Sequence, residues 1–124
     1  MIISFSSHYR YFLYGGNTDM RKGYDGLCGV VQQEFKQDPL SGDVFIFLNR
    51  YRNRIKLLHW QGDGFAVYCK RLEKGTFEQI DRVHNLQHTE VSSLDLQLIM
   101  SGINLKSIKK RIRYGQIIVN KKVS

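Results

Sequence analysis

Between residues 43 and 71, three apolar runs follow one another with almost nothing between them: "DVFIFLN" at 43–49, "RIKLLHW" at 54–60 and "FAVYCKR" at 65–71, joined by "RYRN" and "GDG". Each run has strand length and is rich in β-branched and aromatic residues. A crossover between parallel strands needs a dozen or more residues, so connectors this short can only be hairpins. The middle of the chain must therefore be an antiparallel meander, and the flanking segments must cover it.

The flanking segments supply the cover. "YRYFLY" at 9–14 reads as a first strand ending at Gly15 and Gly16. In "NTDMRKGYDGLCGVVQQEFKQ", Tyr24, Leu27, Cys28, Val31 and Phe35 recur at helical spacing, with Asp19 as a candidate cap. Gly23, Gly26 and Gly29 inside it each cost about 1 kcal/mol of helix propensity, which suggests close backbone approach to a sheet or partner. "QDPLSG", with the only proline, is a turn. "LEKG" and "TFEQI" extend the meander by a further strand. A second helix over about 93–102 has Ser92 or Ser93 as cap, Leu94, Leu98 and Ile99 on one face, and Gly102 as terminator. The expected fold is α+β: a single domain with an antiparallel β-meander of about four to five strands packed with two helices. Residues 1–105 form this domain, and 106–124 are a basic C-terminal extension whose "QIIVN" is either a short strand or part of a tail.

Size and charge narrow the function. A chain of 124 residues suffices for one hydrophobic core. Nineteen Lys and Arg against eleven Asp and Glu give a net charge of +8, which favours polyanionic partners. No apolar run approaches the roughly 18 residues of a membrane span, and the first residues lack the basic and small-residue flanks of a signal peptide. A cytoplasmic protein without a membrane partner is expected. Cys28 and Cys69, lone and in apolar surroundings, read as two buried thiols rather than a disulfide.

The charge is concentrated at one connector. Arg50, Arg52, Arg54 and Lys56 lie within seven positions with no acid among them, and Trp60 follows. Alternation puts Arg54, Lys56, Leu58 and Trp60 on one face of the strand, with Ile55, Leu57 and His59 on the other beneath the first helix. A three-residue "GDG" loop would set Lys56 opposite Lys70, with Trp60 and Tyr68 on the same face, whereas a two-residue turn would flip the third strand. Opposed cations repel unless an anion lies between them. A phosphate backbone supplies that anion, and an aromatic ring can stack on a base. The candidate nucleic-acid-binding residues are Arg50, Arg52, Arg54, Lys56, Trp60, Lys70 and Arg71. The alternative is a solvated basic edge that guards the sheet against aggregation.

Catalysis has less support. A metal nuclease needs two or three converging carboxylates, and the acids here are scattered, several of them in caps and turns. His84 and His88 stand four apart, but "VHNLQHTE" carries no HExxH pattern and reads as a surface loop. No nucleophile elbow is present, and no G-x-G-x-x-G turn follows a strand. The expectation is a protein without catalytic residues, metal or cofactor.

Four blocks carry a family resemblance: "TDMRKGYDGLCGVV" at 18–31, "DPLSGDVFIF" at 38–47, "NRIKLLHWQGDGFAVYCKRLEKGTF" at 53–77 and "LQLIMSGINL" at 96–105. In order and spacing they closely resemble the accessory second-frame protein of IS66-type insertion sequences, often called TnpB and unrelated to the RNA-guided nuclease of that name. The positions carried over are Asp19, Met20, Arg21, Lys22, Asp25, Gly26, Asp38, Pro39, Ser41 and Gly42. In the hairpin block they are Arg54, Lys56, Trp60, Gly62, Gly64, Lys70, Arg71, Leu72, Glu73, Gly75 and Phe77. After Phe77 the chain departs from the pattern, with "EQI" where relatives tend to have Trp-Pro, and it carries a longer basic tail. The resemblance implies an accessory protein for DNA transposition that works beside a separate transposase. The expected partner is DNA at the insertion-sequence ends, with the transposase as the alternative docking partner and a metal-dependent nuclease as the weakest reading.

Overall fold

The segment Val44–Leu48 is buried at all five positions, as expected of a strand covered on both faces. A computed structural model describes residues 5–77 and 88–101. Five strands form one sheet: β1 (Tyr11–Asn17), β2 (Val44–Leu48), β3 (Arg54–Trp60), β4 (Phe65–Arg71) and β5 (His88–Val91), in the order β4-β3-β2-β1-β5. Helix α1 (Tyr24–Val30) runs into a π-helical turn at Val31–Phe35, and helix α2 is Ser93–Met100. This is a single-domain α+β fold with one helical layer on each side of the sheet.

Two cores result. On one face Leu27, Val31 and Phe35 pack on Phe12, Phe45, Phe47 and Leu58. On the other, Leu96, Ile99 and Met100 pack on Leu13, Ile46, Leu48, Ile55 and Leu57, joined by Phe77. The first helix therefore covers the face of Leu58, not that of Ile55 and Leu57, which belongs to α2. The reason lies in the crossover: β1 and β2 are parallel, so α1 must bridge them over one face, while the antiparallel return to β5 brings α2 over the other. Parallel pairing of β1 and β2 is the one departure from an antiparallel sheet.

The meander strands match the sequence reading almost residue for residue, and the other elements correct it in detail. β1 does not stop at Gly15; it continues to Asn17 through an irregularity between Leu13 and Asn17. The Tyr14 ring folds over Gly16, where an added Cβ would sit 2.6 Å from ring atoms. Helix α1 begins at Tyr24 with Gly23 as an uncapped N-cap. Asp19 instead accepts from the backbone N–H of Arg21 at 2.9 Å and so holds the turn before the helix. Gly23 and Gly29 face open space and Gly26 faces only the Lys22 side chain, so their spacing does not mark close approach to the sheet.

Lys36, in the left-handed conformation at φ +55°, ends the helical segment, and the Asp38–Gly42 turn follows. In α2, Ser92 is the cap, its Oγ accepting from the Asp95 N–H at 3.0 Å. The buried face is Leu96, Ile99 and Met100, while Leu94 is 62% exposed. Gly102, His84 and residues 106–124 lie outside the described residues. Residues 72–77 form no strand; Phe77 donates its N–H to the Arg52 carbonyl at 2.7 Å and plugs the core. The missed strand is β5, within the stretch read as a surface loop. Among the described residues no helix is long and apolar enough to cross a membrane.

Candidate nucleic-acid interface

Asn49 builds the tip of the basic hairpin. Its Oδ1 accepts from the N–H groups of Asn53 (3.0 Å) and Arg54 (2.9 Å), and its Nδ2 donates to Asn53 Oδ1 at 2.7 Å. Arg52 takes the left-handed conformation at φ +58°, uncommon for a residue with a Cβ. Exposed Arg50 lies with its guanidinium 5.5 Å from the ring centroid of Tyr51, itself 69% exposed. The tip thus presents a cation and an aromatic ring to solvent.

The second hairpin decides where the remaining cations go. Gln61 donates its N–H to the Gly64 carbonyl at 2.9 Å, which leaves a two-residue turn at Gly62 and Asp63 with Gly62 at φ +92°. Trp60 is then opposite Phe65, Lys56 opposite Cys69, Ile55 opposite Lys70 and Arg54 opposite Arg71. The expected pairing of Lys56 with Lys70 is therefore wrong by one residue, and the flip moves Lys70 and Tyr68 to the α2 face. There Lys70 Nζ donates to the Met100 carbonyl at 2.8 Å, at the C-terminal end of α2 where a cation complements the helix dipole.

On the α1 face a different set converges. Arg54 and Arg71 are direct cross-strand neighbours, both exposed, with Lys56 two residues along on the same face. Lys56 Nζ donates to the Lys22 carbonyl at 2.8 Å, tying the hairpin to the loop before α1. Arg71 pairs with Glu73 at 2.8 Å. A groove of about 450 Å³ runs here, lined by Met20, Arg54, Ile55, Lys56, Cys69, Lys70, Arg71 and Glu73. In the preceding loop Arg21 forks onto Asp19, which holds the Asp19 carboxyl far below the usual carboxylate range.

Trp60 is not part of this groove. It packs edge-on against Phe65, centroids 4.9 Å apart, six residues along β3 from Arg54 and so about 20 Å away. Of the seven candidate residues, the structure brings Arg54, Lys56 and Arg71 together, sets Arg50 and Arg52 on the adjoining tip, and separates Trp60 and the Lys70 ammonium. Met20 and Lys22 were not among the candidates; the "MRKG" run between first strand and helix was the available signal.

The thiols also depart from expectation. Cys28 is half-buried and its thiol pKa is raised by that burial and by the nearby Asp25, while Cys69 is exposed. Both are free. Among the described residues no group of three His, Cys, Asp or Glu side chains is placed to hold a metal ion.

Fold and site together define a small basic α+β domain with a cation-lined groove at one end of a two-sided sheet. The chain belongs to the family of IS66 Orf2-like proteins, whose model matches residues 9–110. It is similar to two proteins of Sinorhizobium fredii (strain NBRC 101917 / NGR234). Uncharacterized protein y4hO is 37% identical over 68 residues, 55% of this chain and 59% of that one. Uncharacterized protein y4jC is 28% identical over 94 residues, 76% and 79% of the respective chains. The chain thus spans less than two thirds of y4hO. No solved structure matches the chain. Family membership supports an accessory role in transposition.

Proposed function

We propose that this protein assists transposition by holding DNA of the insertion sequence against the groove of Arg54, Lys56 and Arg71, with Arg50 and Arg52 extending the contact at the hairpin tip. The observation that carries the reading is the cross-strand pair Arg54–Arg71, two exposed arginines directly opposite in register, with Arg71 paired to Glu73. Like charges set opposite one another weaken a sheet; Glu73 offsets one of the two here, and a phosphate, which accepts the forked geometry of guanidinium donors, would offset the other. Six of the eight groove-lining residues, Met20, Arg54, Lys56, Lys70, Arg71 and Glu73, are positions that the family resemblance also picks out. The contacts are to phosphate, so the protein supplies affinity and orientation while a separate transposase supplies the chemistry.

The test is a titration of the purified protein against element-end and random duplexes at two salt concentrations, with Arg54→Ala and Arg71→Ala beside the wild type. Salt-sensitive binding of both duplexes, weakened in the variants, supports the reading. Variants that bind and transpose like the wild type would refute it and make docking on the transposase the better account.

A further inference from the structure

Strand β4 is a sheet edge, and among the described residues nothing pairs with its outer side. Natural edges are guarded by bulges, prolines, shortness or charge. β4 has seven residues in unbroken register with β3, and Phe65–Cys69 contains neither proline nor charge. The opposite edge, β5, is only four residues long.

The ladder shows which groups point outward. Leu72 donates to the Asn53 carbonyl and Gln61 to the Gly64 carbonyl, so the even-numbered residues of β4 bond inward to β3. Phe65, Val67, Cys69 and Arg71 therefore direct their N–H and C=O groups outward. We propose that β4 pairs antiparallel with β4 of a second copy of this chain, about a two-fold axis through Tyr68, to make one continuous sheet across a homodimer.

The register follows from the pattern of donors and charges. Centring on Tyr68 sets Phe65 opposite Arg71 of the second copy and Val67 opposite its Cys69. All four outward-directed residues on each chain are then used, for about eight backbone hydrogen bonds. On the α1 face each Arg71 meets an aromatic ring, a favourable cation–π partner. On the α2 face Tyr68 meets its own copy and Ala66 leaves room for Lys70. A parallel, in-register arrangement would relate the copies by translation, stack Lys70 on Lys70 and Arg71 on Arg71, and leave an edge open rather than close as a dimer. The axis of such a pair is perpendicular to the sheet, so both grooves open on the same side with their Arg71 residues about 20 Å apart.

The proposal does not depend on DNA binding and is tested without DNA. Light scattering of the full chain should give twice the mass of one chain. Cys69→Pro removes only an outward N–H from an exposed position and should give a monomer with unchanged circular dichroism; if that variant does not fold, Cys69→Lys should do the same by charge. Tyr68→Cys, made with Cys28→Ser and Cys69→Ser, should form an interchain disulfide on mild oxidation, because directly opposed residues of this kind lie within bridging distance. A wild-type chain that stays monomeric at the highest soluble concentration overturns the proposal, as does a dimer that survives the Cys69 variants or shows no Tyr68→Cys cross-link.

Discussion

Arg54 and Lys70 are one residue apart in register across the same hairpin, yet their side chains lie on opposite faces of the sheet, and substitution should separate them. Arg54→Ala should weaken duplex binding, lower the salt slope by about one unit for each phosphate no longer neutralised, and leave melting unchanged or slightly higher as its repulsion with Arg71 is removed. Lys70→Ala should do the reverse: it strips a cation from the C-terminal end of α2 and costs stability, about 1 to 2 kcal/mol, while binding per folded molecule holds. Chemical denaturation and a salt titration on the two variants check both statements. The cysteines differ in the same local way. Cys69, exposed beside Lys56, should be alkylated well before Cys28, whose thiol is half-buried and less ionised because burial raises its pKa. Time-resolved labelling with peptide mapping reads the order directly.

At the level of elements, the connection from β1 to β2 rests on three side chains, Leu27, Val31 and Phe35. Phe35 is 1% exposed and touches Phe45 and Phe47 edge-on, so Phe35→Ala should cost about 3 to 5 kcal/mol, read from urea unfolding. Ser92→Ala, which removes the only side-chain cap seen on either described helix, should cost about 1 kcal/mol. The meander was legible in the sequence because hairpin connectors and apolar runs are local signals, and β2, β3 and β4 sit within a residue or so of their expected limits. Strand β5 was not legible: "HTEV" is four residues of mixed polarity that become a strand only by pairing with β1. The start of α1 differs from expectation because Asp19 carries cap chemistry but uses it on a turn. The site suffered most from a single residue. Reading "GDG" as a three-residue loop, where the structure makes a two-residue turn, put Lys70 in the place of Arg71 in the cationic row and set Tyr68 on the face of Trp60.

For the whole molecule, with its net charge of +8, the proposed DNA contact predicts, for about five phosphates neutralised, that affinity falls by roughly two to three orders of magnitude between about 50 and about 200 mM salt. A flat salt response in a binding titration would contradict phosphate-led recognition. The sheet also has an order of assembly written into it. The β2–β3–β4 pairings are all between neighbours in sequence, whereas β1 must wait for β5, more than seventy residues later. During synthesis on the ribosome the meander and α1 can close before the outer edge of β1 is paired by His88–Val91 and before Tyr11 and Leu13 are covered by α2, which follows it in the chain. The late step should also govern how the finished protein comes apart: Val91→Ala should speed unfolding several-fold while leaving the refolding rate nearly unchanged, as stopped-flow kinetics would record.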